Sequence, residues 1–172
     1  MLVGRARTQL FYREGLDGFI MEIIMSVACV FCRIVRGELP AVKVYEDEYV
    51  IAFLDIKPIN PGHTLVVPKR HVERLEELEP DEAQALLYAA ARIAPAILRA
   101  VGGEGYNILM NIGSAAGQEI PHLHLHIIPR YTNDKCRFNC PRKDADRDEL
   151  ESIGKMIREA YTDIHGISPI PE

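Results

Sequence analysis

Positive charge is scarce in this chain: 20 Lys and Arg stand against 25 Asp and Glu, a formal net charge of −5 at pH 7. A general nucleic-acid binder carries a basic excess or stripe, so that class is set aside and no nucleic acid is expected as partner. Long apolar runs are missing as well. None approaches the roughly 18 residues of a membrane span. Arg5, Arg7, Arg13, Glu14 and Asp17 interrupt every early apolar stretch, unlike a secretory leader. Repeats and low-complexity tracts are also absent. What remains is 172 residues, 48% apolar and 26% charged, enough for one domain with its own core and no need of staples. A cytoplasmic enzyme or binding protein, with no membrane partner, is the expectation.

Histidine is sparse but concentrated. Half of the six histidines fall in five consecutive residues of the stretch 118–130, Q-E-I-P-H-L-H-L-H-I-I-P-R. There His122, His124 and His126 alternate with Leu123, Leu125 and Ile127. Strict alternation predicts a strand. Residues two apart then share a face, roughly 6.5 Å apart along it, so the imidazoles form a row opposite the aliphatic side chains. A merely solvated strand face would more usually carry Thr, Lys or Glu. The small-residue loop at 113–117 leads into this row and offers backbone N–H groups beside it, as anion sites require.

The rest of the chain supplies a frame. Residues 1–24 show no clean period and read as an N-terminal extension; a flexible tail, an extra strand and an upstream start site all fit. Cys29-Val-Phe-Cys32 opens a short helix stopped by Gly37 and Pro40. Without a thioredoxin-like βαβ context this C-x-x-C reads as a metal half-site or as two small core residues. Runs at 42–46 and 49–56 predict a hairpin, 63–67 a third strand after the turn N-P-G, and 106–112 a fourth. Residues 80–101 predict a long helix, with Asp81 and Glu82 favoured by the dipole in its first turn and Pro95 kinking it at most. A last amphipathic helix is expected at 146–161. The fold class expected is α+β, a meander-like antiparallel sheet with helices packed on it, in one domain spanning 25–165 and ending in an irregular tail at 166–172.

The pattern H-L-H-L-H-I-I resembles the histidine triad of the HIT superfamily of nucleotide hydrolases and transferases. C-V-F-C-R-I-V-R-G-E-L-P, V-Y-E-D-E, A-F-L-D-I-K-P, P-G-H-T-L-V-V-P-K-R-H and A-G-Q fall in the order and spacing that family shows. The resemblance covers about residues 29–131 and is closest to the small Hit- and Hint-like branch. It implies that His124 attacks the α-phosphorus of a purine nucleotide conjugate and forms a covalent nucleotidyl-histidine. It implies further that His126 contacts the phosphate. Asn111, Gly117 and Gln118 match positions holding phosphate oxygens or the leaving group. Asp55 matches the carboxylate that takes the ribose hydroxyls, and Ile34, Phe53 and Ile56 match the walls around the base. The substrate implied is a phosphoramidate, an adenylylated amine or a dinucleoside polyphosphate.

At one position the chain departs from its resemblance. Glu119 stands where related proteins carry Ser or Thr to help the leaving group depart. A carboxylate there repels phosphate when ionised and serves as a general acid only if burial raises its pKa. The zinc-binding branch of the family implies a structural Zn2+ on Cys29, Cys32, His71 and His122, a closed Cys2His2 set. Cys136 and Cys140 lie outside the pattern and stay unassigned. A homodimer is implied, with Ala89, Ala90 and Ala91 as a small-residue helix face for close packing. Two other readings remain open: a non-catalytic nucleotide-binding regulator with a structural zinc, and a zinc-stapled interaction module.

Overall fold

The structure is a computed structural model that describes residues 29–136 and 146–166. The expected N-terminal extension at 1–24, Cys140 and residues 167–172 lie outside the described residues. Contacts divide the chain into two compact units, one ending at Lys135 and the other beginning at Cys136.

The first unit holds helix α1 (Val30–Val35), strands β1 (Lys43–Glu46), β2 (Val50–Leu54) and β3 (Thr64–Pro68), the long helix α2 (Pro80–Val101), and strands β4 (Gly105–Leu109) and β5 (Leu125–Arg130). Every strand pair is antiparallel and the order is β1-β2-β3-β5-β4. The chain meanders through β1 to β3, crosses by way of α2 to the far edge as β4, and returns as β5 between them. Burial explains that insertion. Leu125, Ile127 and Ile128 of β5 are at most 1% exposed, whereas β4 leaves Tyr106 and Ile108 over 40% exposed and suits an edge. The strand that carries His126 and follows His122 and His124 is thereby set inside the sheet.

Each face of the sheet has its own cluster. Val50, Ala52, Val66, Leu125 and Ile127 pack with Leu86, Ala90, Ile93 and Ile97 of α2. On the other face Ile51, Phe53, Leu65 and Val67 meet Phe31, Cys32 and Ile34 of α1. Fully burying one such aliphatic or aromatic side chain stabilises the fold by about 1.5–3 kcal/mol, so both helices are held by their apolar sides.

Local chemistry sets the limits of α2. Pro80 begins it, and the Glu79 N–H donates to Glu82 Oε2 at 2.9 Å in a capping box. Glu82 also receives the Arg70 guanidinium at 2.8 and 2.5 Å, tying the helix start to the segment that carries His71. The helix runs through Pro95, which lies on its exposed side, and ends at Gly102 with φ 66°. By length and composition alone α2 could cross a membrane, yet its apolar stripe is committed to the sheet. The expected small-residue interface needs correction. Ala89 and Ala90 are 0% exposed in the core and only Ala91 faces out. At 3.6 residues per turn, three consecutive residues cannot share one face. The outer side offers Leu87 and Tyr88 instead.

Gly62 positions the entry to β3. Its φ is +84°, and an added Cβ would meet Ile97 and Val101 of α2 at 3.0 Å, so the turn requires glycine. His63 follows directly. In the second unit, α3 (Arg147–His165) has Asp148 and Glu149 in its first turn, His165 in its last, and Gly166 at φ 72° as its end. It extends four residues beyond the expected stop.

Candidate functional site

The histidine row begins before the ladder does. Pairing in β5 starts at Leu125, and His122 and His124 lie in its lead-in. The expected strand is therefore shorter at its start, for a reason visible in β3. That strand ends at Pro68, which has no N–H to give; the Pro68 carbonyl accepts from His122 Nε2 at 2.9 Å, and the Leu123 N–H turns to the Val72 carbonyl at 2.6 Å. Nor is the row a wet face. His122 is 0% and His124 6% exposed, with the Phe31 ring edge-on to them at 5.8 and 5.2 Å.

Hydrogen bonds orient the rings. His124 Nδ1 lies 2.7 Å from the His122 carbonyl. A carbonyl only accepts, so Nδ1 carries the hydrogen and the Nε2 lone pair is left for chemistry. His126 packs against His124 with ring centres 4.8 Å apart. Its Nδ1 is 2.9 Å from Nε2 of His63, while its own Nε2 is buried without a partner among the described residues. Burial pushes the His126 pKa down to about 4 and lowers that of His63. Desolvation likewise takes His122 to about 4, against the opposing pull of the Pro68 carbonyl.

Cys29, Cys32, His71 and His122 come together as expected, each offering an atom within 4.8 Å of the others. His122 Nδ1 lies 3.4 Å from Cys29 Sγ and 3.5 Å from Cys32 Sγ, and His71 Nδ1 lies 3.3 Å from Cys32 Sγ. A tetrahedral zinc with Zn–S near 2.3 Å and Zn–N near 2.0–2.1 Å puts sulfur and nitrogen about 3.5 Å apart. The donor set fits. The bond from His122 Nε2 to Pro68 leaves Nδ1 free as the ligand atom, the usual outer support of a metal-bound imidazole.

The residues matched to nucleotide positions divide. Ile34 and Phe53 are buried in one cluster with Phe31, whereas Ile56 is 92% exposed in the loop after β2. Asp55 accepts the Lys57 N–H at 2.8 Å through Oδ1, and its Oδ2 stands 3.5 Å from His63 Nδ1. Around 113–118 the backbone turns at Gly113 and Gly117 with φ 83° and 86°. The Asn111 amide approaches the Gly117 carbonyl at 3.4 Å. Gln118 braces this loop: its Oε1 accepts the Gly113 N–H at 2.7 Å and its Nε2 donates to the Glu73 carbonyl at 2.9 Å. Glu119 is exposed, so the burial on which a general-acid role depended is absent. Sequence reading overlooked two residues, Phe31 and His63. The P-G-H turn was the available signal for His63, since β3 pairs with β5 at Leu65 and His126.

Against known proteins, a family model described as the HIT domain matches residues 36–133. An uncharacterized HIT-like protein of Methanocaldococcus jannaschii is 53% identical over 106 residues, 62% of this chain and 81% of that protein. The Arabidopsis thaliana adenylylsulfatase is 43% identical over 118 residues, 69% of this chain and 60% of the relative. The adenosine 5'-monophosphoramidase of Saccharomyces cerevisiae is 37% identical over 143 residues, 83% of this chain and 86% of that enzyme. Among solved structures, a zinc-bound histidine triad protein from Mycobacterium smegmatis superposes with a TM-score of 0.62 at 40% identity, covering 82% of this chain and 98% of its own. The model match spans more than half of the chain, and with these identities it means that the chain belongs to the HIT domain family.

Proposed function

We propose that this chain is a nucleotidyl hydrolase or transferase that acts on a purine nucleotide conjugate through a covalent nucleotidyl-histidine. The observation that carries this reading is the 2.7 Å bond from His124 Nδ1–H to the His122 carbonyl, which orients the ring and leaves Nε2 as the nitrogen for attack. His124 Nε2 attacks the α-phosphorus. The bond from phosphorus to the leaving nitrogen or oxygen breaks, and the leaving group departs with the electron pair and takes a proton from solvent. Water then cleaves the phosphorus–nitrogen bond to His124, releasing the nucleoside monophosphate and restoring the imidazole.

The neighbouring residues take supporting roles. Ile34 and Phe53 face the base and Asp55 takes the ribose hydroxyls. Asn111 and His126 give donors to the phosphate, the main source of stabilisation in phosphoryl transfer, and Gly117 forms the turn beside them, its own N–H taken by the Ser114 carbonyl. We assign exposed Glu119 to recognition of the leaving group, where a carboxylate favours a cationic amine over a further phosphate. Cys29, Cys32, His71 and His122 would hold a zinc ion as a closed set of four ligands, and the ion would supply rigidity rather than chemistry. Relatives named as an adenylylsulfatase and an adenosine 5'-monophosphoramidase support a nucleotide substrate. We also propose a homodimer, for which the exposed Leu87 and Tyr88 of α2 and Tyr106 and Ile108 of β4 supply apolar surface; sedimentation at micromolar concentration tests it.

The direct test is turnover of a fluorogenic AMP phosphoramidate, with a dinucleoside polyphosphate run in parallel. Turnover lost in His124→Ala, with a labelled nucleotide trapped on the wild-type chain by acid-free quench, is the expected result. Nucleotide protection against heat without any turnover would overturn the catalytic reading in favour of a binding regulator.

A further inference from the structure

The two histidines of the Cys2His2 cluster are unequally supported. His122 turns Nδ1 toward Cys29 and Cys32, and its Nε2 is bonded to the Pro68 carbonyl at 2.9 Å. His71 turns Nδ1 toward Cys32 Sγ at 3.3 Å, yet its Nε2 is buried with no hydrogen-bond partner among the described residues. A neutral imidazole that ligates through Nδ1 holds its one hydrogen on Nε2, and a buried donor left unmet is costly. One carboxylate stands just short of it: Glu73 Oε1 is 4.0 Å away. Its neighbours are already engaged. Glu76 is paired with Arg74, and Glu77 Oε2 accepts the Glu73 N–H at 2.9 Å. The Glu73 carboxylate makes no hydrogen bond among the described residues. The backbone that carries it is fixed, since Val72 packs in the α2 core, the Val72 carbonyl takes the Leu123 N–H at 2.6 Å, and the Glu73 carbonyl takes Gln118 Nε2 at 2.9 Å.

We propose that Glu73 is a positioning residue of the metal centre: its carboxylate accepts the Nε2–H of His71 and holds that ring with Nδ1 toward the ion. The inference rests on the zinc reading given above. From 4.0 Å the side chain needs to move by only about 1 Å to enter the range of about 2.7–3.2 Å for such a bond. It is free to do so, because the side chain is 42% exposed while both backbone groups of residue 73 are tied. An ionised acceptor makes the stronger hydrogen bond, and a carboxylate behind a ligating imidazole fixes its tautomer and raises its basicity. His122 thus leans on a neutral carbonyl and His71 on a charged one. The same residue also leads to the phosphate loop. Its carbonyl receives Gln118 Nε2, and Gln118 Oε1 accepts the Gly113 N–H at 2.7 Å. Order at the metal therefore reaches the loop at 113–117 through His71, Glu73 and Gln118.

The test reads zinc affinity rather than turnover. By chelator competition on the full chain, Glu73→Ala should bind zinc about 10–100-fold more weakly, the usual effect of removing the group behind a ligating histidine. Glu73→Gln, whose amide oxygen accepts the same hydrogen, should recover most of that loss. Glu76→Ala removes the same charge three residues away and should bind zinc as the wild type does. Without metal, Glu73→Ala should melt with the wild type, because the bonds to Glu77 and Gln118 use the backbone of residue 73; only its zinc-loaded midpoint should fall. In the zinc-loaded chain with 15N-labelled histidine, His71 should carry its hydrogen on Nε2, exchanging with solvent faster in Glu73→Ala. Wild-type zinc affinity in Glu73→Ala overturns the proposal, as does a Gln variant as weak as the Ala variant. An equal loss in Glu76→Ala reduces the effect to net charge and overturns it too, and a fall in the metal-free midpoint as large as in the zinc-loaded one makes Glu73 merely structural. A wild-type chain that binds no zinc ends the zinc reading and the proposal together, whereas equally tight zinc in wild type and Glu73→Ala ends the proposal alone.

Discussion

Cys29→Ala separates a structural zinc from a catalytic one. Cys29 Sγ lies 3.4 Å from His122 Nδ1 in a four-donor cluster whose atoms are all within 4.8 Å of each other. Structural zinc contributes about 10–16 kcal/mol in small Cys/His sites, and losing one of four ligands removes on the order of a quarter of that, about 3–4 kcal/mol. At 1.4 kcal/mol per decade this weakens zinc binding by about 10²–10³-fold. For a unit of this size it lowers Tm by on the order of 10–15 °C. Turnover should fall indirectly, because His122 also supplies the carbonyl that orients His124. Chelator competition with elemental analysis measures the first quantity and a thermal scan the second. Zinc retained at one per chain and wild-type affinity in Cys29→Ala would refute the assignment. So would zinc lost from His124→Ala, the outcome expected if the metal sat on the three triad histidines. Geometry favours the four-donor set: among the described residues Cys29, Cys32, His71 and His122 gather as one cluster, and the three triad histidines do not.

Four further outcomes are expected. His124→Ala should abolish phosphoramidate turnover, by at least about 10³-fold in kcat, with zinc content unchanged by elemental analysis. Leu125→Ala, at a side chain 0% exposed against α2, should cost about 2–5 kcal/mol in urea unfolding, and a loss under 1 kcal/mol would mean the core is misread. His126, with a pKa of about 4 in the fold and about 6.5 unfolded, binds its proton in the unfolded chain first. Its share of stability is therefore whole above pH 6.5 and declines as pH falls toward 4, by about 1–2 kcal/mol after allowing for partial exposure of the ring. His126→Asn should show a shallower fall in unfolding midpoint over that window, and parallel curves would contradict the assignment. Glu119→Gln should leave Tm nearly unchanged and raise kcat/KM for a dinucleoside polyphosphate several-fold relative to a lysine-type phosphoramidate; an unchanged ratio would remove Glu119 from leaving-group recognition.

Much of the frame is legible from local pattern alone. Helix α2 announces itself by apolar spacing, first-turn acids and a glycine stop, and it spans 80–101 as expected. The Cys29–Cys32 pair finds His71 and His122 only with help from family resemblance, because the four ligands come from segments 39 and 90 or more residues apart. Alternation correctly puts Leu123, Leu125 and Ile127 on one side, in the α2 core. It could not reveal that pairing waits until Leu125, since this depends on a proline in another strand. Nor could it show that β5 slips between β3 and β4, which follows from the relative burial of two strands rather than from either sequence by itself. Ile56 shows a limit of residue matching, for the position agrees while the side chain is 92% exposed.

Proton positions are the least legible layer and the most consequential. Three histidines two apart in sequence are chemically equivalent on paper, yet each meets a different partner. His122 gives its Nε2–H to the Pro68 carbonyl and turns Nδ1 toward Cys29 and Cys32 in the candidate metal cluster. His124 gives its Nδ1–H to the His122 carbonyl, and in the proposed reaction its Nε2 makes the attack. His126 has Nδ1 2.9 Å from His63 Nε2, and its own Nε2 is buried without a partner among the described residues. His122 and His124 thus differ in which nitrogen is bare, and all three rings differ in the partner that each nitrogen meets. The hydrogen-bond partners are one backbone carbonyl from β3, one from the triad itself, and one ring at the β3 entry. A strand register shifted by a single residue would exchange every side chain between faces and dissolve all three assignments at once. The sheet order that sets β5 beside β3 is therefore as much a requirement of the chemistry as the histidines are.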